Sequence, residues 1–353
     1  MSQNNSTMML SEAGLKEIDA PLDTATAELL DIDAKRPLAN VIGVGAGVKW
    51  KDGKPKGDGE PSIIVLVTQK LDLSQVPKAD RIPKKIADAQ TDVLAIGQPF
   101  AGGRPSSTVG TQTLAQRIRP AEGGYSVGHV KITAGTIATC AYDILNGGKA
   151  SPPEHGIGIP SRYYILSNNH VLANSNDANL GDPILQPGPY DGGSYPQDVI
   201  ARLSRFIPIT FDPPVSRENH RNLVDAAIAE GDFHDLDREI YWVGYTRGWR
   251  PKDMVKVGTL VQKTGRTTNY TVGRITAIKA TVDVGYGGGR VARFRDQIIT
   301  TDLSAGGDSG SLVTTLDNIA VGLLFAGSSI ATIVNQIENV RNLLRVEVAE
   351  QIL

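Results

Sequence analysis

The pattern of apolar and polar positions changes character along the chain. Between residues 11 and 36, Leu15, Ile18, Leu29 and Leu30 recur at helical spacing with acidic residues between them, and Pro21 interrupts the run. Two short helices are predicted there. Asn40 to Trp50 and Ser62 to Val67 instead read as strands either side of the turn Lys51-Asp52-Gly53-Lys54, and a Pro-broken segment precedes a last strand, Thr91 to Ile96. These elements predict a small α+β unit over residues 1–97. Residues 98–121 are rich in Gly, Pro and Ser and read as a linker. From Tyr125 onward, short apolar or alternating runs recur between Gly and Asp turns, the pattern of an all-β barrel or sandwich. The chain closes on Val334 to Val348, where Ile337, Val340, Leu343 and Leu344 mark an amphipathic helix. Residues 122–353 are therefore expected to form a second, mainly β domain that folds as a unit.

Composition narrows the class. With 38 Gly and 20 Pro in 353 residues, many short elements joined by turns are expected, and 40% hydrophobic with 21% charged residues is ordinary for a folded globular chain. Thirty-six basic against thirty-eight acidic residues give a net charge of -2 without a long single-sign run, which excludes a general electrostatic grip on nucleic acid. The single cysteine, Cys140, cannot form an intramolecular disulfide. It shares the apolar parity of Val130-Lys131-Ile132-Thr133-Ala134, so it is expected as a buried core thiol. The N-terminus carries neither a basic nor an apolar leader pattern, so a cytoplasmic protein is expected. The uncharged stretch Asn318 to Ile337 contains Asn, Gln, Ser, Thr and Gly, and is expected as paired strands and a helix start rather than a membrane span.

Candidate chemistry concentrates in Gly306-Gly307-Asp308-Ser309-Gly310-Ser311, followed by the apolar run from Leu312. A serine nucleophile needs an exposed oxygen and nearby backbone N–H groups, and flanking glycines permit the turn that presents both. Such a serine requires a general base and a group that fixes the base's tautomer. Among the five histidines, His170 stands out because the run Tyr163-Tyr164-Ile165-Leu166 delivers it to a loop edge. Asp225 lies within Leu223-Val224-Asp225-Ala226-Ala227-Ile228-Ala229, where an unpaired carboxylate would be costly, so it is the candidate orienting acid. Gly43-Val44-Gly45-Ala46-Gly47 lacks the spacing of a dinucleotide loop, no phosphate-loop lysine motif occurs, and one cysteine with scattered histidines offers no zinc spacing. No cofactor and no metal are expected. Gly285-Tyr286-Gly287-Gly288-Gly289 is expected as a flexible hairpin tip.

The order His170, Asp225, Ser309, with Leu166 to Leu172, Val224 to Ile228 and Gly306 to Val313 around it, resembles the chymotrypsin-like (trypsin-like) serine peptidases. With Ala134-Gly135-Thr136, Val261 to Thr268 and Val321 to Gly327, it is similar to the bacterial branch related to the plant narrow-leaf proteins. The resemblance covers roughly residues 122–350. It implies a chymotrypsin-like double β-barrel with a C-terminal helix. It also implies a serine endopeptidase with Ser309 as nucleophile, His170 as base then acid, and Asp225 as its orienter. Backbone N–H groups of Gly307 and Ser309 would form the oxyanion hole, and the strand edge Phe325, Ala326, Gly327 would pair with an extended substrate, with plain barrel core as the competing reading of Phe325. Leu303 is expected at the base of the side-chain pocket, favouring small or apolar residues, whereas an inward Asp302 would favour basic ones. The digestive relatives pair the acid before the serine, here Asp308, with a freed Ile-Val-Gly-Gly terminus. No such segment follows an Arg or Lys before the barrel in this sequence, so Asp308 needs another partner. Without one, the alternative is a catalytically silent scaffold or binding protein of the same fold, and an esterase or self-processing role is a third reading. The partner expected is a protein or peptide substrate, with no nucleic acid and no membrane; a homo-oligomer is compatible with the sequence without being required by it.

Overall fold

Ser11 caps the first helix, its side chain accepting from the Gly14 N–H at 3.0 Å, and Glu12 follows in the first turn where a negative charge suits the helix dipole. The helix runs unbroken from Glu12–Leu29 with Pro21 inside it. Two helices were expected, but Ile18, Leu22, Ala25 and Leu29 form one buried stripe, and its packing outweighs the hydrogen bond that proline cannot make. The computed structural model describes residues 10–31, 38, 40–51, 54–56, 59–102, 114–132, 134–144 and 162–348. Residues 103–113 of the expected linker lie outside them.

The strands form two large sheets. In the second half of the chain, six strands close into a ring: Leu260–Gly265, Leu312–Thr315, Ile319–Gly327, Ala331–Gln336, Val291–Thr301 and Asn269–Gly285, the last returning to pair with the first. Asn269–Gly285 is 17 residues long, and register shifts near Ala277 and Ala280 let it bend out of the ring. Its far half pairs with strand Val41–Val48, with Gly43 opposite Val282 and Ala46 opposite Ile278. Strands Pro61–Val67 and Ala89–Ala95 extend that edge. The α+β elements expected over residues 1–97 are thus present, yet their strands are continuous with the ring. One apolar cluster joins Ile18, Leu22 and Leu29 of the helix to Val44 and Val65 and onward to Ile275, Ile298, Val313 and Val334. Main-chain pairing therefore crosses the expected boundary at residues 98–121.

The other sheet curls around Val127, Ile137, Ile165, Leu172, Ile184 and Leu203, with Tyr163–Ser167 and Ala227–Gly231 at its centre. A third cluster cements it to the ring, with Tyr164, Leu166 and Ile228 on one side and Leu312, Leu323 and Ile337 on the other. The architecture is mainly β, with a double-barrel layout and a closing helix, as the resemblance implies. The C-terminal helix is Ile337–Leu344 only, because Val334 and its neighbours complete strand Ala331–Gln336. Cys140 is buried, its Sγ donating to the Asp237 carbonyl at 3.1 Å, and burial pushes the thiol up to about 12. No helix among the described residues is long and apolar enough to cross a membrane.

Candidate active site

Strand Tyr163–Ser167 ends at the seam between the two sheets, and the short helix Asn169–Leu172 turns His170 into that seam. Asp225 sits just before strand Ala227–Gly231, which pairs with Tyr163–Ser167, so adjacent strands deliver both residues to one end of the sheet. The backbone of Asp225 is clamped from both sides: Asn168 Nδ2 donates to its carbonyl at 2.7 Å, and its N–H donates to Asn335 Oδ1 at 3.0 Å. The carboxylate is fully buried and accepts from the His170 N–H (3.1 Å), from His170 Nδ1 (2.6 Å) and from the Tyr286 hydroxyl (2.7 Å). A carboxylate can only accept, so Nδ1 carries the proton and Nε2 of the neutral ring is left as an acceptor. Nε2 makes no hydrogen bond among the described residues.

Ser309 lies on the loop between Val291–Thr301 and Leu312–Thr315, its Oγ 3.5 Å from the Phe325 carbonyl. The loop is held from both sheets. The Thr136 N–H donates to the Ser309 carbonyl at 2.8 Å, and Thr136 Oγ1 donates to the Gly307 carbonyl at 2.8 Å while accepting from the Arg266 N–H. Gly310 has φ +100°, and a Cβ there would fall 2.1 Å from Ser167 Oγ and 2.2 Å from the Thr136 carbonyl, so only glycine fits.

Carbonyl tethers also set the direction of the loop's N–H groups. Thr267 Oγ1 donates to the Gly306 carbonyl at 2.8 Å, and Ser311 Oγ donates to the Asp308 carbonyl at 2.7 Å. In a trans peptide the C=O and N–H point opposite ways, so the N–H groups of Gly307 and Ser309 point away from those tethers. Neither N–H has a hydrogen-bond partner among the described residues.

Asp308 has the partner the sequence reading left open. Its side chain is fully buried beside an equally buried Lys263, Nζ to Oδ2 3.3 Å. It accepts further from the N–H groups of Thr267 (2.8 Å), Thr268 (3.1 Å) and Ala305 (3.0 Å) and from Thr268 Oγ1 (2.6 Å). Burial lowers the Lys263 pKa, and the Asp308 charge opposes that shift. Lys263 and Tyr286 were both missed by the sequence reading. Lys263 had a usable signal, since it shares the inward parity of Val261 in strand Leu260–Gly265. Tyr286 looked like part of a mobile hairpin tip, yet it packs against Phe211 and Phe294. Burial, then the Asp225 charge, pushes its phenol well above the ordinary value, so it remains a donor.

A cavity of about 220 Å³ opens beside Ser309, lined by Phe100, Ser304, Ala305, Gly306, Leu324, Ala326, Gly327 and Ser328. Of the pocket residues expected from sequence, Ala326 and Gly327 lie at it. Leu303 does not, because its side chain is buried against Gly273 in the apolar cluster of the ring. The Phe325 ring packs on Phe294 and only its carbonyl faces Ser309. Asp302 is exposed, and among the described residues no charged side chain lines the cavity. The remaining described histidines serve elsewhere: His129 bonds Asp182, His220 bonds the Val215 carbonyl, and His234 lies exposed in the turn Phe233–Asp235.

No protein-family model matches the chain, and no curated protein does. Among solved structures it is similar to Thermobifida fusca protease A (14% identity, TM-score 0.42, covering 64% of this chain and 96% of that one). It is also similar to a Nocardiopsis protease (16%, 0.43, 65% and 98%) and to Cellulomonas bogoriensis chymotrypsin (16%, 0.40, 64% and 96%). The chemistry available to this chain is read from its own geometry.

Proposed function

We propose that the chain is a serine endopeptidase working through His170, Asp225 and Ser309. The observation that carries this reading is the buried 2.6 Å contact of His170 Nδ1 with Asp225, and it is supported by Gly135, which packs against both Val171 and the Ser309 carbonyl. On this reading Ser309 Oγ turns from the Phe325 carbonyl toward Nε2, the acceptor left open on His170. Nε2 takes the hydroxyl proton as Oγ attacks the substrate carbonyl, and the oxyanion is met by the N–H groups of Gly307 and Ser309. The imidazolium, facing the Asp225 carboxylate, then gives its proton to the leaving amine, and water releases the acyl group by the same path. The cavity beside Ser309 supports cleavage after small or apolar residues, since burying a cation there unpaired would cost several kcal/mol.

A fluorophosphonate probe should attach at Ser309. Ser309→Ala should abolish labelling and peptide hydrolysis together, and His170→Ala should lose nearly as much because triad members act as a unit. Unchanged labelling of Ser309→Ala would overturn the assignment, and a peptide library cut predominantly after Lys or Arg would overturn the pocket reading. Wild-type protein that neither labels nor hydrolyses would instead favour the silent scaffold.

A further inference from the structure

The strand edge that would pair with a substrate is already paired. Phe100 donates its N–H to the Gly327 carbonyl at 3.0 Å and accepts from the Gly327 N–H at 3.3 Å, an antiparallel bridge at the end of Ile319–Gly327. On its other side the same segment bonds the hairpin that carries Tyr286: Ala101 N–H to the Gly285 carbonyl at 2.9 Å, and Gly285 N–H to the Pro99 carbonyl at 3.1 Å. Ala101 is 1% exposed, and the Phe100 ring lies over Gly285 and Gly287. Antiparallel polarity carries the chain from Gly327 toward Phe325, whose carbonyl is the one beside Ser309 Oγ. Gly102 accordingly reaches the catalytic histidine: the nearest atom to a Cβ built on it is His170 Cδ2, at 3.7 Å. Gly102 has no side chain to fill the cavity next to Ser309, which stays open.

Resting on the peptidase reading above, we infer that Pro99–Gly102 is an intramolecular strap on the acyl side of the cleft, holding the main-chain groups an extended peptide needs. Gly327 offers one N–H and one C=O at this edge, and both are engaged by Phe100. A peptide with several residues before the cleaved bond must displace the strap. A substrate with a single residue there needs only Ser309 and the cavity.

The test compares two substrates on the full chain: a four-residue peptide anilide ending in alanine, and the nitrophenyl ester of N-acetylalanine. Ala101→Pro removes the N–H given to Gly285, and Ala101→Asp places a charge at a buried site, so the two loosen the strap by different routes without altering the cavity lining. Each should raise kcat/KM on the tetrapeptide by roughly tenfold, mainly through KM, since the competitor loses one or two main-chain hydrogen bonds. Each should leave the ester rate within about twofold. A peptide-to-ester ratio unchanged in both variants, with fluorophosphonate labelling intact, would overturn the strap alone; absence of labelling and of both hydrolyses in the wild type would overturn the peptidase reading with it. Wild-type protein supplies a second readout. Hydrogen exchange over residues 98–102 should speed up after reaction with a tetrapeptidyl phosphonate but not with a small fluorophosphonate, and equal exchange in the two adducts would refute displacement.

Discussion

Replacing Lys263 by methionine removes the cation from a pair in which both side chains are fully buried. Unit charges 3.3 Å apart attract by about 5 kcal/mol at an effective dielectric near 20, and losing the cost of burying the lysine returns part of that. Breaking a buried pair by deleting one partner costs about 3–5 kcal/mol in comparable cases. Here the Asp308 carboxylate keeps donors from Thr267, Thr268 and Ala305, which places the expected loss at the lower end, about 3 kcal/mol. Urea unfolding of Lys263→Met, Asp308→Asn and the double variant reads this directly. The double variant should be more stable than the sum of the single losses, because no uncompensated charge remains. Since Asp308 precedes Ser309, the proposed nucleophile, the fluorophosphonate labelling rate of Lys263→Met should fall as well. A wild-type unfolding midpoint and labelling rate in Lys263→Met would refute the idea that this lysine does the work of a freed N-terminus.

Tyr286→Phe keeps the ring against Phe211 and Phe294 but removes one of three donors to Asp225; a hydrogen bond to a charged group is worth about 1.5–3 kcal/mol, so kcat should fall roughly ten- to a hundredfold with KM little changed, and an unaltered kcat would refute a positioning role. Burial, then Glu239 and Asp237, raises the Glu122 carboxyl from 4.5 to about 7. The folded state therefore binds the extra proton between those values and loses stability as pH rises through them, so Glu122→Gln should gain on the wild type between pH 5 and pH 8 in denaturant midpoints. A fragment of residues 122–353 would strip Val41–Val48 from Asn269–Gly285 and open the shared apolar cluster; contrary to the expectation from sequence, it should lack the cooperative unfolding of the full chain.

His170, Asp225 and Ser309 were legible as candidates because each stands out locally: a histidine at the end of an apolar run, a lone acid inside one, a serine among glycines. Their supports were not, because they depend on pairings across the chain. Tyr286 meets Asp225 over a separation of 61 residues, and nothing in the glycines around it encodes that contact. The strands of the N-terminal segment were readable as strands, but their partner was not, since a buried apolar run such as Val41–Val48 satisfies many registers equally. Leu303 was placed in the pocket by counting back from the nucleophile. The close approach of its side chain to Gly273 turns it into the ring and leaves Ser304 and Ala305 at the cavity.

Thr136 belongs to the sheet that carries His170, yet it grips the Ser309 loop of the ring at two carbonyls and anchors Arg266 with the same hydroxyl. The geometry of the proposed site is therefore the property of neither half alone. A chain in which that sheet had not yet formed would lose both carbonyl tethers, and its Ser309 loop would be slack. Reactivity toward the serine would then report completion of the fold, with immature or damaged copies remaining inert toward their neighbours rather than cutting at random.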